Sequence, residues 1–591
     1  MSEPRTVLDL FALWLRAKPT PAFVDAREGG SRRMDAPEVA RQVAGLARGL
    51  AALGIGRGDR VALLCGDRPE WHVVDLAVLH LAGLDVPVYP TLLASQVRPI
   101  LTDSGARAMI VENAEQLSKV AEVRASCPEL QHVILIDGEP PPGVRTLASC
   151  VEPVSDADAE AYLGACRAAV QPDDLATLLY TSGTTAEPKG VMLTHDNFVF
   201  DAINAAGVMP WPAGDVALAF LPLSHVLERL IDYIYLLKGV TIAYCGILEA
   251  GDALRRVRPH LFTAVPRFYE KVYDRIFHEI SSASGLKRSL LRSAVHAALA
   301  SVESGRRGLA WHVFDLLVYS KIRAAIGGRI RFSISGGAPL PLFVGTFFHG
   351  IGVRLLEGYG LTETSPVITV NRFDRVRLGT VGEPIPDAEV RIAPDGEVFT
   401  RGRHVMKGYW NKPERTAAVL DADGWLATGD IGVLDADGFL RITDRKKDVL
   451  VTAGGKNVAP QPIEDKLRAS PLVENAVLFG DRKPYIVALI APSYEGLAKW
   501  AGERGLPTSD LKSLLEREDV IAAYQEVVSE VNRDLARFET VKKFRLVSEP
   551  FTISAGELTP TLKVKRRIVE AKYSGTIAGM YEGEATFDTW A

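Results

Sequence analysis

The sequence predicts an α/β protein: a large N-terminal domain of parallel α/β layers plus a β-rich subdomain, then a smaller α+β C-terminal domain. Three observations carry this. Through the first 350 residues, short runs rich in Val, Ile and Leu alternate with segments of helical period. From about Thr380 the texture turns to short strands, with turn signals at Pro394-Asp-Gly396, Asp423-Gly424 and Asp437-Gly438. A chain of 591 residues is also too long for a single core.

Taken in order, the predicted strands are 61–65, 86–89, 109–111, 133–136, 175–180, 216–221, 241–245, 261–265 and 330–334. Helical segments at 36–53, 71–81 and 115–125 fall between several of them. Strand, helix, strand in repetition implies parallel sheets covered on both faces, with ligand loops at the carboxyl ends of strands. Residues 267–323 break the rhythm as a long helical tract, with Leu290, Leu291, Val295, Leu299 and Val302 at spacings of three and four. That tract reads either as a surface hairpin or as one wall of an extended apolar pocket. The last 140 or so residues hold strands near 477–479 and 486–490 and helices near 511–516 and 522–537, a normal size for one domain.

Composition excludes several function classes. A formal charge of −5 gives no reason to expect nucleic acid, and argues against purely electrostatic membrane attachment. The five cysteines lie far apart with no Cys-x-x-Cys, so they predict small buried hydrophobes in a reducing compartment, not zinc ligands or disulfides. The N-terminus lacks a signal-peptide pattern, and the longest apolar region, 73–90, is interrupted by Asp75, His80 and Asp85. The expectation is a cytoplasmic protein that an apolar substrate would bring transiently to the inner membrane face.

The most informative stretch runs from Leu178 to His195. An apolar run ends at Tyr180 and opens into Thr181, Ser182, Gly183, Thr184 and Thr185, then Pro188, Lys189 and Gly190. Hydroxyls, backbone N–H groups and one ammonium suit a polyphosphate. A second motif, Glu357-Gly-Tyr-Gly-Leu-Thr-Glu363, follows the glycine-rich turn Ser335-Gly-Gly-Ala-Pro339. Glycines beside Tyr359 would let a planar base approach, and Glu363 is a hard oxygen ligand suited to Mg²⁺. A third set is Thr428-Gly-Asp430, Asp444-Arg-Lys-Lys-Asp448 and Gly454-Gly-Lys456; the last is Thr559-Pro-Thr-Leu-Lys563.

Together these motifs resemble the adenylate-forming acyl-CoA synthetase superfamily, in family order from about Val61 to Tyr573. Ala186 and Leu562 stand where that superfamily often has glycine; Leu562, with Ser224-His-Val-Leu-Glu-Arg229, looks like the bacterial long-chain fatty acyl-CoA synthetase branch. The resemblance implies that ATP is held by Thr181, Ser182, Gly183, Thr184, Thr185, Lys189, Gly337, Ala338, Pro339, Glu357, Gly358, Tyr359, Gly360, Thr362, Asp430 and Arg445. It implies catalytic roles for Lys563, His225, Glu363 and Thr184, with Mg²⁺ on Glu363 and Lys565 as an understudy for Lys563. Gly454, Gly455 and Lys456 would meet coenzyme A. Lys447 would be the hinge between an adenylation domain, 1–446, and a mobile lid domain, 447–591. Implied partners are a fatty acid, ATP and coenzyme A, with a homodimer admitted. Alternatives are an adenylating ligase for another acid or acceptor, such as a fatty acyl-AMP ligase, and a nucleotide-binding regulatory protein without catalysis.

Overall fold

The computed structural model describes residues 3–30, 32–181, 188–212, 214–454, 456–508, 510–552, 554–559 and 564–582. By packing, these form two compact units. The first holds residues up to 393, 398–428 and 434–441; the second holds 394–397, 429–433 and everything from Ile442 onward. Packing thus places Asp430 and Arg445 in the second unit.

In the first unit, described residues build two large sheets. One runs edge to edge through Gly408–Tyr409, Lys189–Thr194, Leu175–Thr181, Leu84–Val88, Arg60–Leu64, Ala108–Val111, His132–Leu135 and Arg145–Thr146. From Leu175–Thr181 onward the neighbours are parallel, as the alternation predicts. Alternate side chains enter two separate cores: Val61 and Leu63 on one face, Ala62 and Leu64 on the other. The strand Lys189–Thr194 was not foreseen. It returns antiparallel to Leu175–Thr181, with Thr181 opposite Lys189.

The other sheet is parallel through Leu355–Gly360, Phe332–Ser335, Leu261–Ala264, Val216–Ala219, Thr241–Tyr244 and Phe23–Asp25, with antiparallel strands at both edges. The predicted strands reappear within one or two residues at most ends. An unforeseen N-terminal helix, Val7–Ala17, is fixed by a capping box between Thr6 and Asp9. The tract after residue 265 is helical as predicted: Pro266–Ser282, Gly285–Glu303, Leu309–Phe314, a wider π turn at Asp315–Tyr319, and Ser320–Ala325. Leu290 does not join its buried face. Helix Gly285–Glu303 instead buries Ala294 and Ala298, and comes so close to Gly350 that a Cβ there would lie 2.7 Å from the Ala298 oxygen.

Three strands of the β-rich part, Glu397–Arg401, Leu426–Leu434 and Leu440–Arg445, have residues in both units. The second unit centres on strands Val473–Phe479, Ile486–Pro492 and Val541–Leu546. Ile486, Ala488 and Ile490 enter one core, and Val487, Leu489 and Ala491 the other. Four cysteines are buried and Cys166 is half-buried, all as free thiols.

One polar cluster inside the first unit sets its interior geometry. Arg229, on helix Val226–Lys238, is fully buried. Its guanidinium donates to Tyr233 Oη (2.8 Å), Thr177 Oγ1 (2.8 Å) and Asp75 Oδ1, and lies 3.3 Å from Asp85. His72 bridges Asp232 at 2.9 Å and Asp75 at 3.6 Å. Burial opposes charge on His72, but the two carboxylates outweigh it and raise it to about 9. Burial pushes the Glu228 and Asp67 carboxyls upward, Asp67 to about 8. Arg229→Met would leave Asp75 and Asp85 buried without their cation. It is expected to cost about 3–5 kcal/mol, read from urea unfolding followed by tryptophan emission. Unchanged stability would refute this role.

Candidate active site

Strand Leu175–Thr181 and its return strand Lys189–Thr194 place Lys189 opposite Thr181; Ser182, Gly183, Thr184 and Thr185 lie outside the described residues. Lys189 Nζ sits 4.7 Å above the centre of the Tyr409 ring. The Tyr409 hydroxyl donates to Glu363 Oε1 at 2.7 Å. Burial, and then the neighbouring Glu363 carboxylate, push the Tyr409 phenol well up, so it remains a donor. The structure thus brings together two predicted site residues 174 positions apart, Lys189 and Glu363, through a tyrosine that sequence reasoning missed.

Backbone pairing explains how Tyr409 arrives there. Gly408–Tyr409 pairs antiparallel with the return strand, Gly408 opposite Met192 and Tyr409 opposite Val191. Trp410 N–H donates to the Gly190 carbonyl at 2.7 Å, and Met406 N–H to the Glu363 carbonyl at 2.9 Å. The signal in the sequence was the run Gly408-Tyr-Trp-Asn411, an aromatic pair at a turn.

The Glu357 motif forms the end of strand Leu355–Gly360, with Ser335 opposite Glu357 in parallel register. Gly337 has φ +80°, the left-handed region that glycine occupies without strain. Its neighbours Ala338 and Pro339 are exposed. The Glu357 carboxyl is buried, which pushes it up to about 8, although backbone N–H groups of Gly379 and Leu340 oppose the shift. Its side chain is therefore a strut beneath the Gly337–Pro339 turn. The expectation that glycines flank Tyr359 to admit a ligand needs correcting at Gly360. A Cβ there would lie 1.6 Å from the Pro366 carbonyl oxygen, so the chain's own backbone demands that glycine. Gly358 has ordinary room, its nearest atom at 3.5 Å. Tyr359, Thr362 and Glu363 are half-buried.

His225 caps helix Val226–Lys238. Its Nδ1 accepts the Leu227 N–H at 3.2 Å, which assigns the proton of the neutral ring to Nε2.

In the second unit, buried Asp430 meets Arg445 Nε at 3.2 Å. Lys446 bonds Asp395 and Glu397, each at 2.7 Å, while its N–H donates to the Gly429 carbonyl at 2.9 Å. These bonds hold Gly429 and Asp430, inside strand Leu426–Leu434, against Arg445. Lys447 follows directly; burial and the adjacent Arg445 lower its ammonium below the ordinary lysine range. Gly454 and Lys456 are exposed beside the hairpin of Leu450–Val451 and Asn457–Val458, and Gly455 lies outside the described residues.

Lys563 also lies outside the described residues. Its surroundings are anchored: Val564 bridges Leu558, Lys565 N–H donates to the Glu557 carbonyl at 2.7 Å, and Arg566 pairs with Glu464 at 2.7 Å. Lys565 caps the following helix instead of lying along a regular strand. Among the described residues no group of three or more His, Cys, Asp or Glu could hold a metal alone. Glu363 could hold one only with ligands from a bound phosphate, the usual arrangement for Mg²⁺.

Comparison with known proteins agrees with this geometry. The AMP-binding enzyme model matches residues 13–410, and the AMP-binding enzyme C-terminal domain matches residues 447–585. The long-chain-fatty-acid–CoA ligase FadD15 of Mycobacterium tuberculosis is 40% identical over 559 residues, covering 93% of this chain and 92% of that protein. The peroxisomal long chain acyl-CoA synthetase 6 of Arabidopsis thaliana is 33% identical, over 95% of this chain and 83% of its own. Among solved structures, the anthranilate CoA ligase AuaEII with anthranoyl-AMP shares the fold at TM-score 0.74 and 20% identity, covering 98% of this chain and 99% of its own. ATP-bound MatB from Rhodopseudomonas palustris does so at TM-score 0.67 and 22% identity, covering 96% and 99%. With family models matching residues 13–410 and 447–585, and relatives matched nearly end to end, the chain belongs to the AMP-binding enzyme family.

Proposed function

We propose that this chain ligates a long-chain fatty acid to coenzyme A at the expense of ATP, releasing AMP and pyrophosphate through an acyl-adenylate. One observation carries the reading from geometry: Lys189 and Glu363 are held on the two ends of Tyr409, a cation and a hard anion kept apart yet adjacent. The curated relatives supply the substrate class, as ligases of long-chain fatty acids.

A carboxylate is a poor electrophile, so it must be activated. One of its oxygens bonds to the α-phosphorus of ATP while the bond to the bridging oxygen breaks, and pyrophosphate leaves. The thiol of coenzyme A then loses its proton and bonds to the acyl carbon, and AMP departs with the anhydride oxygen. The protein has to position the reactants and neutralise developing negative charge. Lys189 and residues 181–185 would cradle the phosphates, Tyr359 would stack the base, and Thr362 would meet the α-phosphate. Asp430 and Arg445 would clasp the ribose, and Lys563 would balance charge on the reacting oxygens. Mg²⁺ on Glu363, when bound, would supply further neutralisation of the phosphates. His225, donating through Nε2, suits a place beside the substrate carboxylate. Lys447 is the proposed hinge of a lid beginning there, which would withdraw Lys563 and admit the thiol past Gly454 and Gly455. The enzyme would work in the cytoplasm, in transient contact with a membrane surface, and a homodimer is compatible with this reading.

A ligase that passes its adenylate to another acceptor is the competing reading; AMP release that does not depend on coenzyme A would favour it.

Three variants test the roles. Lys563→Ala should slow ATP–pyrophosphate exchange by about 10²–10³, and exchange at the wild-type rate would remove Lys563 from the mechanism. Tyr409→Phe keeps the ring under Lys189 but deletes the bond to Glu363. Exchange is expected to fall about ten-fold or more and to need more Mg²⁺; an unchanged Mg²⁺ dependence would contradict the link. Lys447→Pro should form adenylate normally yet stall thioester synthesis, whereas equal loss of both half-reactions would speak against a hinge.

A further inference from the structure

The helical tract after residue 285 carries a surface that the proposed chemistry does not use. Leu309, Val313, Leu316 and Leu317 recur at spacings of four, three and one, and are 83%, 49%, 77% and 43% exposed. Such spacing places them on one side of the helix. The opposite side is pinned: Trp311 Nε1 donates to the Gly350 carbonyl at 2.7 Å, and Tyr319 Oη to the Ala294 carbonyl at 2.5 Å. The outward leucines therefore belong to an anchored element. Soluble chains rarely leave a contiguous apolar stripe open without a partner for it.

Charge selects the partner. Residues 285–325 hold seven Lys and Arg against two acids, a local charge of +5 in a chain whose total is −5. One of the two acids, Asp315, is already paired with Arg323 at 2.6 Å. Arg306 and Lys321 stand at the two ends of the stripe. Two copies of a surface this positive would repel each other across a shared interface, whereas an anionic bilayer attracts the cations and accepts the leucines. Among the described residues no helix is long and apolar enough to cross a membrane, so contact would be interfacial.

We propose that this stripe and its flanking cations dock the protein on anionic lipid bilayers, where the acyl substrate resides. The proposal deepens the fatty-acid reading above and borrows the substrate's location from it, while its own evidence is the surface.

The full chain is sedimented with vesicles of phosphatidylcholine alone and of phosphatidylcholine with phosphatidylglycerol. Binding to the anionic vesicles, lost at high salt, is expected. Arg306→Glu/Lys321→Glu should weaken it by at least about twenty-five-fold, roughly five-fold for each cation lost before the added repulsion of the new carboxylates, and Leu316→Glu/Leu317→Glu at least about ten-fold. Both double variants change exposed positions, and both should ligate detergent-dispersed palmitate at the wild-type rate while losing turnover on palmitate presented in vesicles. Variants that bind like wild type would overturn the assignment of this surface. So would a wild type that binds neither vesicle, and that result leaves the ligase reading to be judged on the detergent assay. Loss of a concentration-dependent dimer in the leucine variant, with lipid binding intact, would reassign the stripe to self-association and overturn the proposal.

Discussion

A guanidinium sealed from water must be answered at each donor, and Arg229 is answered by three different elements. Its own helix supplies Tyr233, strand Leu175–Thr181 supplies Thr177, and helix Pro69–His80 supplies Asp75. The helix it rides begins at His225, and the strand it grips runs into the hydroxyl-rich loop. One buried charge therefore ties the helix that follows His225 to the strand that ends at Thr181. Burying these ions costs several kcal/mol each before pairing repays it, so apolar side chains of similar volume could hold the layer equally firmly. What they could not supply is direction: bonds to Thr177 and Asp75 define one rotation and one register of the helix.

Tyr409 solves a different electrostatic problem. A lysine and a glutamate left to meet directly would pair and cancel, and each would then have to be pulled from the other before holding a phosphate or a cation. The aromatic face attracts the ammonium while the hydroxyl holds the carboxylate, so both are positioned and neither is neutralised. Asp430 and Arg445 follow the opposite logic. They touch at 3.2 Å, and both are suited to hydroxyl groups, which tolerate a partner already engaged in an ion pair.

How much of this was legible follows from the range of the forces involved. The parallel strands were readable because burial on both faces writes an unbroken apolar run such as Val61-Ala-Leu-Leu-Cys65. Strand Val541–Leu546 was not, since Val-Lys-Lys-Phe-Arg-Leu mixes charge into a half-exposed edge, and only its parallel pairing with Ile486–Ile490 makes it a strand. The return strand was hidden for a related reason: Lys189 and Gly190 read as loop until Thr181 is seen opposite Lys189. Lys189 and Glu363 stood out one by one as candidates from their motifs. Tyr409 did not, because its role exists only where three distant segments meet. The strut role of Glu357 was equally invisible, since its partners, Leu340 and Gly379, are contacts of the folded turn and not of the motif.

Glycines separate demands made by the fold from demands made by a ligand, and the sequence alone cannot tell them apart. At Gly360 a methyl group would strike the Pro366 oxygen at 1.6 Å, and at Gly190 it would press the Tyr180 ring at 3.0 Å. Gly429 is needed for its φ of +72°, a left-handed residue within strand Leu426–Leu434 just before Asp430. Each would be kept even in a protein that bound nothing. At Gly454 the situation reverses: φ is unexceptional, and among the described residues the nearest atom to a Cβ is Thr452 Oγ1 at 4.0 Å. The fold itself would accept alanine there. A glycine that the described residues do not require is what the proposed passage of a thin thiol arm past Gly454 would account for.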